Sequence, residues 1–421
     1  MSGPAATGRP GPIDGGALLA QLAELGAVGA DPKGGGRTRL ALTAAEKEGR
    51  DLLVRFMREQ GLEVRVDRVG NIFGTLAGLA GPGTAPLMVG SHIDTVRNAG
   101  ALDGAYGVLA GLAVVRAFQA AHCTPPRPVT VAAFTNEEGV RYQPDMMGSL
   151  VHAGGLGLAE ALNAVGTDGT RLGDELERIG YAGDLEPGSI VPREYLELHV
   201  EQGPILEAEK VQIGVVEALQ GISWQKIAVE GVANHAGTTP NHLRHDAGYA
   251  AAAIVTFLRE EVVGAARATT LATVGTLHLE PDVVNVIPGR ATFTVDLRDP
   301  DGERLALAER RLSEFLPEIG RREGVKVTAE RLVRCEPVLF DAGLAGEIEA
   351  SARRLGFTHR RMTSGAGHDA QMMARIAPAA MIFVPSRGGV SHSPHEHTPD
   401  GELLAGAAVL LDVVARRLGA G

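Results

Sequence analysis

The sequence predicts an α/β protein: a mixed, mostly parallel sheet flanked by helices, with a ferredoxin-like α+β domain inserted into it. Three observations carry that expectation. First, short apolar runs end in polar residues and lead into helical periodicity. Residues 87–89 run into Gly90-Ser91-His92-Ile93-Asp94, and Asp103-Gly104 then opens a helix over about 105–121. An apolar run at 129–134 completes a strand–helix–strand unit, and such a crossover favours parallel pairing. Second, residues 221–334 change rhythm to strand, helix, strand, strand, helix, strand, a split βαβ order that closes its own sheet. Third, 421 residues is long for a single core, so two domains are the natural expectation.

Taken in order, a Gly-, Pro- and Ala-rich tail (1–16) gives way to a short helix at 17–25. Thr43 is placed to cap the next helix, and Glu46 three residues on completes a capping box. Leu52, Leu53, Phe56 and Met57 form its apolar stripe, and Gly61 ends it. Residues 62–66 and 71–76 alternate as strands, with a turn at Gly81-Pro82-Gly83. The strand at 129–134 ends in Thr135-Asn136-Glu137-Glu138-Gly139, and one at 195–200 delivers His199 and then Glu201-Gln202-Gly203-Pro204. The insert holds strands at 222–232, 271–279, 290–298 and 325–333 and helices at 246–263 and 305–319. A strand at 380–384, a glycine-rich loop with Ser391-His392-Ser393-Pro394-His395-Glu396, and a helix at 401–418 close the chain. The expected division is a disordered tail (1–16), a main domain (17–220 and 335–421) that carries the polar strand ends, and an inserted domain (221–334).

Composition narrows the function classes. A net charge of −11 with no basic cluster argues against a nucleic-acid partner. Cys123 and Cys335 make neither a disulfide framework nor a thiolate metal site. No apolar run is long enough to span a bilayer, and the tail lacks the charged and apolar regions of a signal peptide. The expectation is a soluble, cytoplasmic protein without a membrane partner.

The polar residues at the strand ends are His92, Asp94, Asp103, Glu137, Glu138, His199 and His392. Open α/β sheets bind ligands at the carboxyl ends of their strands. Imidazoles and carboxylates without thiolates suit zinc, manganese, cobalt or nickel. Five ligands with one bridging carboxylate suffice for two cations ~3.5–4 Å apart, as in two-metal hydrolytic sites. Neighbouring side chains at a strand end point in opposite directions, so one of Glu137 and Glu138 can bind metal while the other serves as general base.

The stretches SHIDTV, LDGAYGVLAGL, FTNEEG, PDMMGS, LELHVEQGP, NHAGTTP, NVIPG, DLRDPDG, SGAGHDA and HSPHEHT follow one another from Ser91 to the C-terminal region. In kind and order they resemble the M20 metal-dependent amidohydrolases, in the branch of N-carbamoyl-L-amino acid hydrolases, β-ureidopropionases and allantoate amidohydrolases. The resemblance implies two divalent metal ions per subunit. His92 would serve one, Glu138 and His392 the other, with Asp103 bridging and His199 a further metal ligand that marks the carbamoyl branch. It implies Glu137 as general base, Asp94 as the partner orienting His92, and His235 as the group holding charge on the carbonyl oxygen. Gln202, His235, Asn285, Arg298 and Gly367 would contact a small carboxylate-bearing ureido substrate. The inserted domain would act as lid and as the interface of a homodimer.

The activity implied is hydrolysis of an N-carbamoyl-L-amino acid to the amino acid, carbon dioxide and ammonia. Alternatives are an allantoate- or ureidoglycolate-type amidohydrolase, a β-ureidopropionase, an aminoacylase or peptidase with the same core, and a catalytically silent binding protein. Blander roles exist for single residues: His395 and His397 rival His392, and Arg298 has Asp296 and Asp299 to pair with. Two stretches, 98–100 and 140–144, depart from the forms expected of the best-known carbamoylases.

Overall fold

The computed structural model describes residues 8–81, 83–264 and 269–420, so the first seven residues of the expected tail and Pro82 of the expected turn lie outside the described residues. The chain divides into two compact units, Met1–Glu217 with Phe340–Gly421, and Ala218–Leu339.

The first unit is built on a sheet with strands in the order Glu63–Val66, Ile72–Leu76, Val129–Phe134, Leu87–His92, Glu194–Val200, Ala379–Val384, Ile213–Leu219. The four central strands, from Val129–Phe134 to Ala379–Val384, run parallel, and the outer pairings beside them are antiparallel. The mixed, mostly parallel sheet expected from the sequence is therefore the one that forms. Every residue of the central strands is buried, as helices on both faces require. Parallel direction has a functional consequence: the carboxyl ends of all four strands meet at one edge. His92 pairs with Phe134 and His199 with Phe383, so residues far apart in the chain emerge side by side.

The helix after His92 spans Ala105–Ala120, and the closing helix spans Asp400–Arg417. The first helix, Gly15–Ala27, starts earlier than the apolar pattern because Asp14 accepts a hydrogen bond from the Ala17 amide and caps it. Thr43 caps the helix Ala44–Glu59, yet the reciprocal bond of the expected box is displaced by one residue. The Glu46 carboxylate accepts from the Leu42 amide at 3.0 Å, while its other oxygen is held by the buried Arg50 Nε. Short helices at Met147–His152, Leu158–Leu162 and Leu172–Ile179 carry too few turns to show a period in the sequence. Among the described residues, no helix is long and apolar enough to cross a membrane.

The second unit is an antiparallel sheet in the order Leu277–Glu280, Arg290–Asp299, Gly221–Glu230, Lys326–Cys335, with Leu271–Thr273 also on Arg290–Asp299. The single strand expected at 271–279 is thus two, both paired to the same neighbour and interrupted around Gly275. Helices Ala247–Phe257 and Gly302–Glu323 cover the sheet through Ile227, Val229, Phe293, Leu297, Leu312 and Leu316. Phe257 and Phe315 stack between the helices with ring centroids 4.0 Å apart. The helix expected to reach 263 widens into a π-helical turn at Leu258–Val263, which keeps both Leu258 and Val262 buried.

Candidate active site

At the common strand edge of the first unit, His92, Asp103 and His199 bring donor atoms within 4.8 Å of one another, and Asp103, Glu138 and His392 do the same. Asp103 belongs to both groups, with one oxygen for each. Its Oδ1 lies 3.1 Å from His199 Nε2 and 3.6 Å from His92 Nε2. Its Oδ2 lies 3.2 Å from His392 Nε2, and that nitrogen is 3.4 Å from Glu138 Oε2. His395 and His397 belong to neither group.

Two hydrogen bonds fix which imidazole nitrogens are offered. His92 Nδ1 lies 3.0 Å from the Asp94 carbonyl, and His199 Nδ1 lies 2.8 Å from the Val200 carbonyl. A carbonyl only accepts, so in the neutral rings Nδ1 carries the proton and Nε2 keeps its lone pair, which at His199 accepts from the Gly104 amide at 3.1 Å. Gly104 makes room for this: a Cβ there would lie 2.5 Å from the His92 ring, and its φ of +63° is one that glycine adopts freely. Of three donor groups among the described residues, the two that share Asp103 lack thiolates and fit two divalent cations of borderline hardness, and the third, Glu197 with His199 and His368, shares His199 with the first.

Burial and mutual charge set the protonation of the cluster. Burial works against a charged His92, but Glu137, Asp103 and Asp94 outweigh it and hold its pKa well above the usual value. His199 is raised in the same way, burial being overcome by Asp103. The hydrogen bond with Asp103 raises His392 to about 9. Asp103 is held well below the carboxylate range, because three imidazoles outweigh its burial. Burial pushes Glu137 well up, and burial with the Asp103 charge takes Glu138 to about 8. A proton on these groups and a cation among them thus answer the same negative field.

Glu137 and Glu138 leave the strand end in different directions. Glu137 Oε2 lies 3.4 Å from His92 Nε2, whereas Glu138 faces His392 and accepts from the Val96 amide at 3.2 Å. Asp94 is buried behind them. Its carboxylate accepts from the Glu137 and Glu138 amides at 3.2 and 3.3 Å and stands 3.6 Å from His92 Nδ1. The His92 ring is thus hydrogen-bonded by the backbone oxygen of Asp94, and the side chain of Asp94 holds the Glu pair. Gln202 donates from Nε2 to Asp103 Oδ2 at 2.8 Å, and its Oε1 is buried without a partner. Gly367 lies in the loop between the strand His359–Ser364 and the helix Asp369–Met373.

His235, Asn285 and Arg298 belong to the second unit. Gly237 and Thr238 donate their amides to His235 Nδ1 at 3.0 and 3.1 Å, so in the neutral ring the proton sits on Nε2. The Asn285 carbonyl accepts from the Ala236 amide, which joins the His235 turn to the Asn285 turn. The Arg298 guanidinium engages Asp296, with Nε at 3.1 Å and Nη2 at 2.9 Å.

Beneath the cluster lies a buried polar layer that sequence reading did not assign. Glu197 accepts from Ser91 Oγ at 2.7 Å, Tyr195 Oη at 3.1 Å and the Ala370 amide at 2.8 Å. Asp369 accepts from Ser149 Oγ at 2.6 Å, and the His368 ring meets that of His199 edge-on at 4.6 Å. The available signal was Glu197 itself, a charge inside a central parallel strand, where both faces are dry.

The sequence profile of Peptidase family M20/M25/M40 matches residues 88–416. An N-carbamoyl-L-amino-acid amidohydrolase from Rhizobium meliloti is 40% identical over 90% of this chain and 91% of its own length. The allantoate amidohydrolase of Bacillus subtilis is 35% identical over 90% of this chain and 92% of its own. The crystal structure of a hydantoinase/carbamoylase family amidase from Burkholderia multivorans superposes with a TM-score of 0.94 at 41% identity, covering 97% of this chain and 98% of that one. With the profile spanning most of the chain and relatives of this identity along nearly its whole length, the protein belongs to the M20/M25/M40 peptidase family.

Proposed function

We propose that the protein hydrolyses the carbamoyl C–N bond of N-carbamoyl-L-amino acids, releasing the amino acid, carbon dioxide and ammonia. The broader class is given by its relatives: it is a hydrolase of non-peptide C–N bonds. The observation that supports hydrolysis is the convergence of two donor triads on Asp103 with a buried carboxylate, Glu137, beside them, and the carbamoyl substrate is favoured by relatives of 40% and 39% identity. His92, Asp103 and His199 would hold one divalent cation and Asp103, Glu138 and His392 a second, zinc or else manganese, cobalt or nickel. Bound there, the pair supplies Lewis acidity that polarises the ureido carbonyl and makes water acidic near neutral pH.

The chain's own residues do the rest. Glu137 takes the proton from the attacking water. As the C–N bond breaks, it delivers that proton to the leaving nitrogen of the amino acid, and the carbamic product falls apart to carbon dioxide and ammonia. A carboxylate pushed up by burial suits both halves of that task. The unpartnered Oε1 of Gln202 is an acceptor for the ureido N–H. His235, with its proton on Nε2, is a donor for charge developing on the carbonyl oxygen. Asn285, Arg298 and the backbone at Gly367 hold the substrate carboxylate, for which a guanidinium fork is well shaped. The inserted unit serves as lid and as the interface of a homodimer.

Ammonia release from a panel of N-carbamoyl-L-amino acids, allantoate, N-carbamoyl-β-alanine and N-acetyl amino acids tests this. The expected result is highest kcat/KM with an N-carbamoyl-L-amino acid. Preference for allantoate would move the assignment to the second reading, which the Bacillus subtilis relative supports. Turnover of acetyl amino acids alone would overturn the ureido reading.

A further inference from the structure

His392 is the weakest-anchored member of the cluster. It is 51% exposed, lies in a loop rather than at the end of a buried strand, and has a φ of +52°, a costly conformation for a side chain with a Cβ. Something must hold it against Asp103 across 289 residues of chain. Part of the restraint sits at the base of the loop, where the Arg387 amide donates to the His397 carbonyl and Thr398 Oγ1 to the Pro385 carbonyl. These bonds close the loop but do not aim it.

Glu396 does. Its Oε2 accepts from the Leu102 amide at 2.8 Å and from the Asp103 amide at 3.4 Å. Its own amide donates to the Ser393 carbonyl at 3.1 Å, folding 393–396 into a tight turn directly after His392. The carboxylate therefore ties the loop of the exposed ligand to the backbone of the shared one. The contact is close on its other side too. A Cβ on Gly100 would lie 2.1 Å from Glu396 Oε2, so the 100–103 backbone can seat against the carboxylate only with glycine at 100. Glu396 Oε1 is buried and has no partner, a desolvation cost consistent with a side chain fixed for position.

We propose that Glu396 is a positioning residue that clasps the His392 loop to Asp103 and so completes the Asp103–Glu138–His392 site in particular. The His92–Asp103–His199 site depends on it less, because both of its imidazoles stand at the ends of buried central strands with their Nδ1 atoms pinned to backbone carbonyls. The inference rests on the proposed reading of the two triads as cation sites.

Chelator-treated protein titrated with Zn²⁺ in a calorimeter tests it, with wild type, Glu396→Ala, Glu396→Gln and Gly100→Ala compared. Wild type is expected to take up two equivalents. Glu396→Ala should weaken the second step by roughly tenfold or more, the range for residues that orient ligands, and leave the first nearly unchanged. Gln keeps an acceptor oxygen of the same shape and should restore most of the second step. Gly100→Ala, which leaves every carboxylate in place but crowds the clasp, should weaken the same step. A folded Glu396→Ala with both steps as in wild type, or with both weakened equally, would overturn the clasp while leaving the two-site reading intact. If Glu396→Ala does not fold, Gly100→Ala decides: a weakened second step supports the clasp and an unchanged one overturns it. Uptake of fewer than two equivalents by wild type would overturn the two-site reading itself and the clasp with it.

Discussion

Glu137 and Glu138 are chemically identical neighbours, and only their surroundings give them different tasks. Glu138 looks onto His392 and Asp103, with its second oxygen held by the Val96 amide. Glu137 looks onto His92 with its amide pinned by Asp94. Two substitutions separate them. Glu137→Gln is expected to keep two equivalents of metal by elemental analysis while kcat for ammonia release falls about a hundred- to ten-thousandfold. Glu138→Gln is expected to lose one equivalent of metal along with turnover. Metal loss in Glu137→Gln, or full metal content in Glu138→Gln, would exchange the two assignments. At this scale the sequence was legible wherever a polar residue ended an apolar run, as at His92, Glu137 and Glu138. The detailed partners were not: that the Asp94 carboxylate holds two amides while its backbone oxygen holds the His92 ring depends on a turn no pattern encodes.

The elements repeat the lesson. The central strands could be read directly as unbroken apolar runs and the helix behind His92 by its sixteen-residue length, with ends marked by glycine or charge. The inserted unit's alternating strand at Arg290–Asp299 was equally plain, since alternate residues face a core. What the sequence hid were helices of five to eight residues and breaks within strands, where tertiary packing outweighs local preference. It also hid the polar layer under the site: Glu197 stands out as a charge in an apolar strand, but its three donors come from distant or unpatterned positions. Glu197→Ala would strand the Ser91 and Tyr195 hydroxyls and the Ala370 amide in a dry interior. The expected loss is on the order of 3 kcal/mol in urea-unfolding free energy. A change within about 0.5 kcal/mol, the range of neutral surface substitutions, would show that the layer is not structural.

For the whole molecule, proton and cation compete for one cluster, and that competition gives stability a pH dependence. In metal-free protein His92, His199, His392, Glu137 and Glu138 all have folded pKa values raised above their unfolded ones. Each therefore contributes stability that is complete below its unfolded pKa and lost as pH rises through its folded one. Asp103, depressed, is ionised throughout and adds no slope in that window. Between about pH 6.5, where free histidine titrates, and the folded pKa of about 9 for His392, the urea midpoint of chelator-treated protein is expected to fall. With saturating Zn²⁺ it should fall much less, since the cation replaces the protons. Parallel curves would mean that the cluster does not exchange one for the other. The most direct test of the account is anomalous diffraction at the zinc edge from crystals of the zinc-loaded protein. Two peaks are expected on either side of the Asp103 carboxylate, one among His92, Asp103 and His199 and one among Asp103, Glu138 and His392. Peaks away from Asp103, or none, would contradict it.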